Sequence, residues 1–270
     1  MSMKLDGKLI SKAKSKVPTE DFINASWDFD NASTLHTIFM IMSTPRSGST
    51  FFCEKLIEAG YCVAHEYFHQ KDYLPILAER WDCISDHALI KKSYIEMLIK
   101  TRTAPSGILG INLHGQHIKY FKEFEYLFPK VNFKYIFISR ADKFSQAVSY
   151  AIASKTQKWS SNFIGTEIEN YDYNLILEKL YFIIKQEKAI LRYLKGKDFY
   201  KINSEEFFNN QNFDFLSDYE PKKFSNYLKK LGRQSNSIND EWKLKFIDDL
   251  TSKLPFELVL KLGKLRSLIS

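Results

Sequence analysis

Cysteine is scarce in this sequence. There are three, Cys53, Cys62 and Cys83, in 270 residues. The odd count and the lack of any Cys-x-x-Cys spacing speak against a disulfide framework. They read instead as reduced, mostly buried thiols in a reducing, cytoplasmic compartment. Long hydrophobic runs are missing too. No stretch approaches the ~18 apolar residues of a membrane span, so no transmembrane segment is expected. The N-terminal "MSMKLDGKLISKAKSKVPTE" is basic but lacks an apolar core. That pattern is not a secretory signal, and the Asn-x-Ser sequons at Asn24 and Asn31 then read as accidental. No tract is dense enough in Lys and Arg for a nucleic-acid arm, and the aromatics fall at core-like spacings rather than on a stacking face. No nucleic-acid partner is expected. No internal repeat or low-complexity linker divides the chain.

What is present is a folded, basic chain. Hydrophobic residues make up 44%, and the length suits one large domain or two small ones. Lys and Arg number 39 against 32 Asp and Glu, giving a net charge of +7. That surplus favours anionic ligands: nucleotides, acidic sugars, nucleic acid or an anionic membrane surface. It fits equally a soluble protein with extra surface lysine, and peripheral membrane contact stays open.

Residues 1–35 are polar and irregular and predict an N-terminal arm; 36–270 then form a single domain. Thr37–Met42, "TIFMIM", reads as a buried strand. From Ser49 the spacing of Phe52, Leu56 and Ile57 predicts a helix that stops at Gly60. Tyr61–Ala64 has the look of a short strand. Helices are expected around Tyr73–Trp81 and Ile90–Lys100, a strand over Gly107–His114, and a helix over His117–Leu127. "NFKYIFISR", Asn132–Arg140, is a second core strand. A helix over Ala141–Lys155, a long amphipathic helix over Tyr173–Leu194, and a strand at Asp198–Asn203 follow. Two last helices are expected near Lys222–Leu231 and Asp240–Leu254. Strands alternating with helices imply an α/β fold, a parallel central sheet flanked by helices, with helical insertions.

"MSTPRSGSTFF", Met42–Phe52, joins the first strand to the first helix. A strand feeding a tight loop into a helix N-terminus is an anion site, because free backbone N–H groups and the helix dipole point at the ligand. Gly48 lets the backbone approach closely, Ser47, Ser49 and Thr50 add hydroxyls, and Arg46 adds a charged fork. A nucleotide kinase would need Gly-x-x-x-x-Gly-Lys-Ser/Thr, and here both the lysine and the first glycine are absent. Its second core strand usually ends in an acid that helps hold magnesium, whereas this one ends in Arg140. A cation there suits a second phosphate without a metal. His114 and His117 close another strand, where α/β proteins place ligand crevices, and His114 is a candidate base or acceptor contact.

These segments carry a resemblance. "TPRSGSTFFCEKL" resembles the 5′-phosphosulfate loop of the sulfotransferases that use 3′-phosphoadenosine 5′-phosphosulfate (PAPS), and "YIFISRADKFSQAVSYAIASKTQKW" is similar to their 3′-phosphate segment. The bacterial branch that includes trehalose 2-sulfotransferase is resembled most, through "DK…QAVS", "EYF" at Glu66–Phe68, "GILGINLH" and "RQSNSINDEW". The ordered set covers roughly residues 37–250. The resemblance implies a P-loop-like sulfotransferase fold. It implies that Arg46, Ser47, Gly48, Ser49 and Thr50 hold the 5′-phosphosulfate, and that Arg140 and Ser149 grip the 3′-phosphate. Glu66 is implied as general base, Arg46 as the stabiliser of leaving-group charge, 3′,5′-ADP as product, and a carbohydrate or glycolipid as acceptor. Gln157, Lys158 and Trp159 are candidates for the acceptor side. Asn112 departs from the branch, which would place lysine there. A homodimer fits the branch, and the scheme calls for no metal.

Two alternatives stay open. "HEYFH" also fits His-Glu-x-x-His, so that on a helix His65 and His69 could hold zinc beside Glu66, as in a zinc-dependent hydrolase. The other is a nucleotide- or anion-binding protein without transfer chemistry.

Overall fold

The computed structural model describes residues 4–19, 21–29, 33–159, 170–224 and 237–253. Its elements run α1 (Gly7–Lys14), β1 (Thr37–Ser43), α2 (Ser49–Glu58), α3 (Tyr73–Arg80), the small hairpin β2 (Ile84–Ser85) and β3 (Ala88–Leu89), and α4 (Lys91–Arg102). Then come β4 (Ile108–His114), α5 (Ile118–Phe121), β5 (Asn132–Ser139), α6 (Lys143–Thr156), α7 (Tyr173–Leu194), β6 (Phe199–Asn203), α8 (Ser204–Asn210) and α9 (Ser237–Lys253). None of the described helices is long and apolar enough to cross a membrane.

Four strands form one parallel sheet in the order β4-β1-β5-β6. Every residue of β1 is buried, as a central parallel strand covered on both faces requires. The two-residue strand period splits its side chains. Ile38, Met40 and Met42 enter one core with Leu109, Ile111 and Leu113 of β4 and with α3, α4 and α5. Phe39 and Ile41 enter a second core with Phe52 and Leu56 of α2 and Phe207 of α8. A third cluster joins α6, α7 and α9 through Ala147, Ile176, Ile183, Trp242 and Phe246. The sheet is thus flanked by helices, as the alternation of elements implies.

The register places the strand ends on one rim. Ser43 pairs with His114, Met42 with Phe137, and Ser139 with Asn203. The loops after β1, β4, β5 and β6 therefore start side by side.

Three expectations need correction. Residues 5–29, read as part of an irregular arm, include α1, capped by Asp6, whose carboxylate accepts from Leu9 N–H at 2.9 Å. Leu5, Ala13, Val17 and Ile23 join the first core; their sparse spacing hides this in the sequence. Tyr61–Ala64 is not a strand; only His65 bridges Ile111, in parallel. The His117–Leu127 helix is broken into short turns, with Phe124 N–H bonded back to Phe121 O at 2.8 Å. That tightening brings Phe121 and Phe124 to within 5.0 and 5.2 Å of the Phe68 ring, so core packing overrides helix propensity. The hairpin β2–β3 and α8 carry no sequence signal strong enough to expect them. Most of the helix expected near Lys222–Leu231 lies outside the described residues, as do Asn31, Arg233 and Leu254.

Candidate active site

The loop between β1 and α2 is tightly wound. Arg46 has φ 63° and Gly48 φ 90°, so two of three successive residues are left-handed. At Gly48 a Cβ would lie 3.1 Å from Ser204 Cβ, on α8; glycine answers both the conformation and the close approach. Phe52 N–H makes the first helical bond, to Gly48 O at 3.1 Å. The N–H groups of Ser49, Thr50 and Phe51 therefore have no acceptor in a preceding turn. Ser47 is fully buried, yet its hydroxyl has no hydrogen-bond partner among the described residues. Thr50 is exposed at the loop's mouth.

Two buried amides hold this loop in shape. Gln146, from α6, donates through Nε2 to Thr44 Oγ1 and to Pro45 O, both at 2.8 Å. Asn112, from β4, accepts from Ser43 Oγ at 3.0 Å and points Nδ2 at Ser49 Oγ, 3.5 Å away. Where lysine was expected, Asn112 ties the β1 end to the start of α2. Sequence reasoning missed Gln146; a polar residue on the apolar face of a helix was the available signal.

Arg46 reaches across to α6, donating through Nε to Ser149 Oγ at 2.9 Å and through Nη1 to the Trp159 carbonyl. Burial first, and then nearby Arg140, push its pKa down to about 10. It stays cationic at neutral pH, held near a second cation. Arg140 leaves β5 with its Nε 3.4 Å from Glu205 Oε1. Glu205 also accepts from the N–H groups of Ala141 (2.9 Å) and Asp142 (3.3 Å). Ser149, paired with Arg140 in the sequence reading, is engaged by Arg46 instead. Trp159 packs edge-on against Tyr150 at 6.0 Å, while Gln157 and Lys158 are exposed.

Glu66 arrives by a different route. The segment after α2 runs back against β4, where a Cβ at Gly110 would meet Cys62 Sγ and Ala64 Cβ at 2.6 Å. Asn112 N–H donates to His65 O at 2.9 Å. That contact sets Glu66 level with the end of β4, and Glu66 Oε2 lies 3.6 Å from His114 Nδ1. Burial, reinforced by Asp72 and Asp21 against the opposing pull of His69, raises the Glu66 pKa to about 7. Burial lowers that of His114 to about 4, so the imidazole is neutral at physiological pH.

The family model of the Stf0 sulphotransferases matches residues 38–249. The chain belongs to the Stf0 sulphotransferase family. It is therefore an enzyme, and its reaction is sulfotransfer. No curated protein matches the chain.

Membership removes the hydrolase alternative, and the geometry of this Stf0 chain gives the reason. His65–His69 forms a bridge and turns rather than a helix. Tyr67 N–H donates to His65 O at 3.0 Å and His69 N–H to Glu66 O at 2.9 Å. The two imidazoles face different carboxylates. His65 Nε2 lies 3.8 Å from Asp21, whereas His69 Nδ1 lies 3.4 Å from Asp72. Among the described residues no group of three or more His, Cys, Asp or Glu is placed to hold a metal.

Proposed function

We propose that this sulphotransferase takes PAPS as donor and a carbohydrate or glycolipid hydroxyl as acceptor. The carrying observation is the pair of cations at the loop: Arg46, its pKa lowered first by burial and then by nearby Arg140, adjoins a buried Ser47 hydroxyl that has no partner among the described residues. A ligand with anionic groups at both ends would relieve the repulsion and satisfy the hydroxyl. In this reading Arg46, Ser47, Gly48, Ser49 and Thr50 hold the 5′-phosphosulfate. Arg140 holds the 3′-phosphate, with Ser149 fixing the Arg46 fork.

PAPS supplies an activated sulfonate whose departure partner is 3′,5′-ADP. The chain's own part is positioning, charge compensation and proton removal. Arg46 offsets charge growing on the leaving phosphate. Glu66 takes the acceptor proton; with a pKa raised to about 7 it is a stronger base than an ordinary carboxylate and still partly ionised at neutral pH. Neutral His114 orients that carboxylate. No role in the scheme calls for a metal.

The test is a transfer screen of sugars and glycolipids with 35S-labelled PAPS. The expected result is label in a sugar, matched by released 3′,5′-ADP. Label passing only to phenols or amines would overturn the acceptor class. Transfer from a donor lacking the 3′-phosphate at equal efficiency would overturn the donor.

A further inference from the structure

The turn from β5 into α6 carries Arg140, and three other helices pin it. Ala141 N–H donates to Glu205 Oε2 at 2.9 Å and Asp142 N–H to Glu205 Oε1 at 3.3 Å, from α8. Lys143 Nζ donates to the Arg140 carbonyl and reaches Glu187 of α7 at 2.5 Å. Asp142 caps α6 by accepting from Ser145 N–H at 2.9 Å, and Lys243 of α9 donates to its other oxygen at 2.6 Å. The backbone that aims Arg140 is therefore held from several sides.

Of these partners Glu205 also meets the Arg140 side chain, with Oε1 3.4 Å from Nε. The place of that contact matters. A guanidinium grips a phosphate with two parallel N–H groups, and the terminal pair presents one such fork. Among the described residues neither Nη of Arg140 makes a hydrogen bond, so Glu205 steadies the group at its inner nitrogen and leaves the fork open. Arg140 keeps part of its surface, at 26% side-chain exposure, so that fork is within reach of a ligand. Nearby Arg46 carries the same charge and cannot do the steadying.

Glu205 is itself well placed and well fixed. Asn203 pairs with Ser139 across the sheet, and its Oδ1 accepts from Glu205 N–H at 2.9 Å. Ser204, between them, is the residue that a Cβ at Gly48 would meet at 3.1 Å. The start of α8 thus abuts both the Arg46–Thr50 loop and the Arg140 turn. A carboxylate so close also repels a phosphate. Its side chain is 40% exposed, so solvent screens that repulsion, whereas its bonds to the turn are direct.

We propose that Glu205 is a positioning residue for the donor nucleotide: it clamps the β5–α6 turn and turns the open fork of Arg140 towards the 3′-phosphate. This rests on the PAPS reading and adds the residue that makes its 3′-phosphate contact effective.

The test is calorimetric titration of 3′,5′-ADP and ADP into wild type, Glu205→Gln, Arg140→Ala and the double variant, all in the full chain. Glu205→Gln keeps the shape but has one acceptor oxygen, too few for both amides and Nε. It should weaken 3′,5′-ADP about five- to tenfold, a modest loss for a charged hydrogen bond because the pair is partly exposed, and change ADP less than about twofold. Glu205→Asp keeps the charge but is one methylene shorter, and it should show the same pattern. In the Arg140→Ala background, Glu205→Gln should cost less than about twofold more, because its effect passes through Arg140. A merely structural role would weaken binding alike in both backgrounds and for both nucleotides, and that result would overturn the proposal. So would unchanged or tighter 3′,5′-ADP binding by Glu205→Gln. Equal affinity of wild type for the two nucleotides would instead overturn the donor reading.

Discussion

Glu66 gains its basicity from being buried beside other carboxylates, and the same burial sets its cost. Its folded pKa of about 7 lies above the ordinary carboxylate value, so the folded state binds the proton more readily than the unfolded one. Stability from this group is therefore full below the unfolded pKa and is lost as pH rises towards 7. Glu66→Gln should be more stable than wild type above pH 7, by up to about 3 kcal/mol, in thermal or urea unfolding. The same variant should lower turnover about 10²–10⁴-fold and leave 3′,5′-ADP affinity unchanged, because it keeps shape and removes the base. Wild-type turnover should rise with pH through an apparent pKa of about 7. His114→Ala should cost less; collapse there with near-normal turnover in Glu66→Gln would hand the base role to the histidine. Arg140 belongs to the same scale. Arg140→Ala should weaken 3′,5′-ADP by about 1.5–3 kcal/mol, as for a charge-assisted hydrogen bond, and ADP much less. Calorimetric titration of both nucleotides reads the difference.

At the scale of elements, α6 sets the loop. It touches the β1–α2 connection twice, through Gln146 to Thr44 and Pro45 and through Ser149 to Arg46. Gln146→Leu removes two bonds and leaves the Pro45 carbonyl without that donor. It should destabilise the chain by about 1–3 kcal/mol and raise the KM for the donor more than it lowers kcat. Chemical denaturation and initial-rate kinetics check the two halves; a fall in kcat alone would contradict the fastening role. The elements differ in how legible they were. β1 carries an unbroken apolar run over Ile38–Met42 and β5 one over Tyr135–Ile138, and α7 repeats its apolar face over 22 residues. The Tyr61–Ala64 return and the Phe121–Phe128 turns have apolar residues too, but their backbone follows the partner surface: the Gly110 gap in one case, the Phe68 ring in the other.

For the whole molecule, ligand binding should be read as folding energy. The candidate site draws on β1, β4, β5, α2 and α6, so a ligand there ties several elements together. At one hundred times its dissociation constant, 3′,5′-ADP should add about 2.7 kcal/mol of stability. ADP at the same concentration should add much less, and equal melting shifts would remove the 3′-phosphate role. By itself the sequence determined the α/β class, the candidacy of the Arg46–Thr50 loop for an anion, the cation at the end of β5 and the candidacy of His114. Those features rest on local rules: strand periodicity, a glycine where the backbone must turn left-handed, and residue types suited to anions. The candidacy of Glu66 came instead from the family resemblance. Only the tertiary structure decided that Glu66 meets His114, that Ser149 serves Arg46, that Gln146 and Asn112 brace the loop, and that His65 and His69 face different carboxylates. These are contacts between residues far apart in the chain or turned by a non-helical backbone. Parallel strand register and burial fix them, and neither is written in the spacing of any one segment.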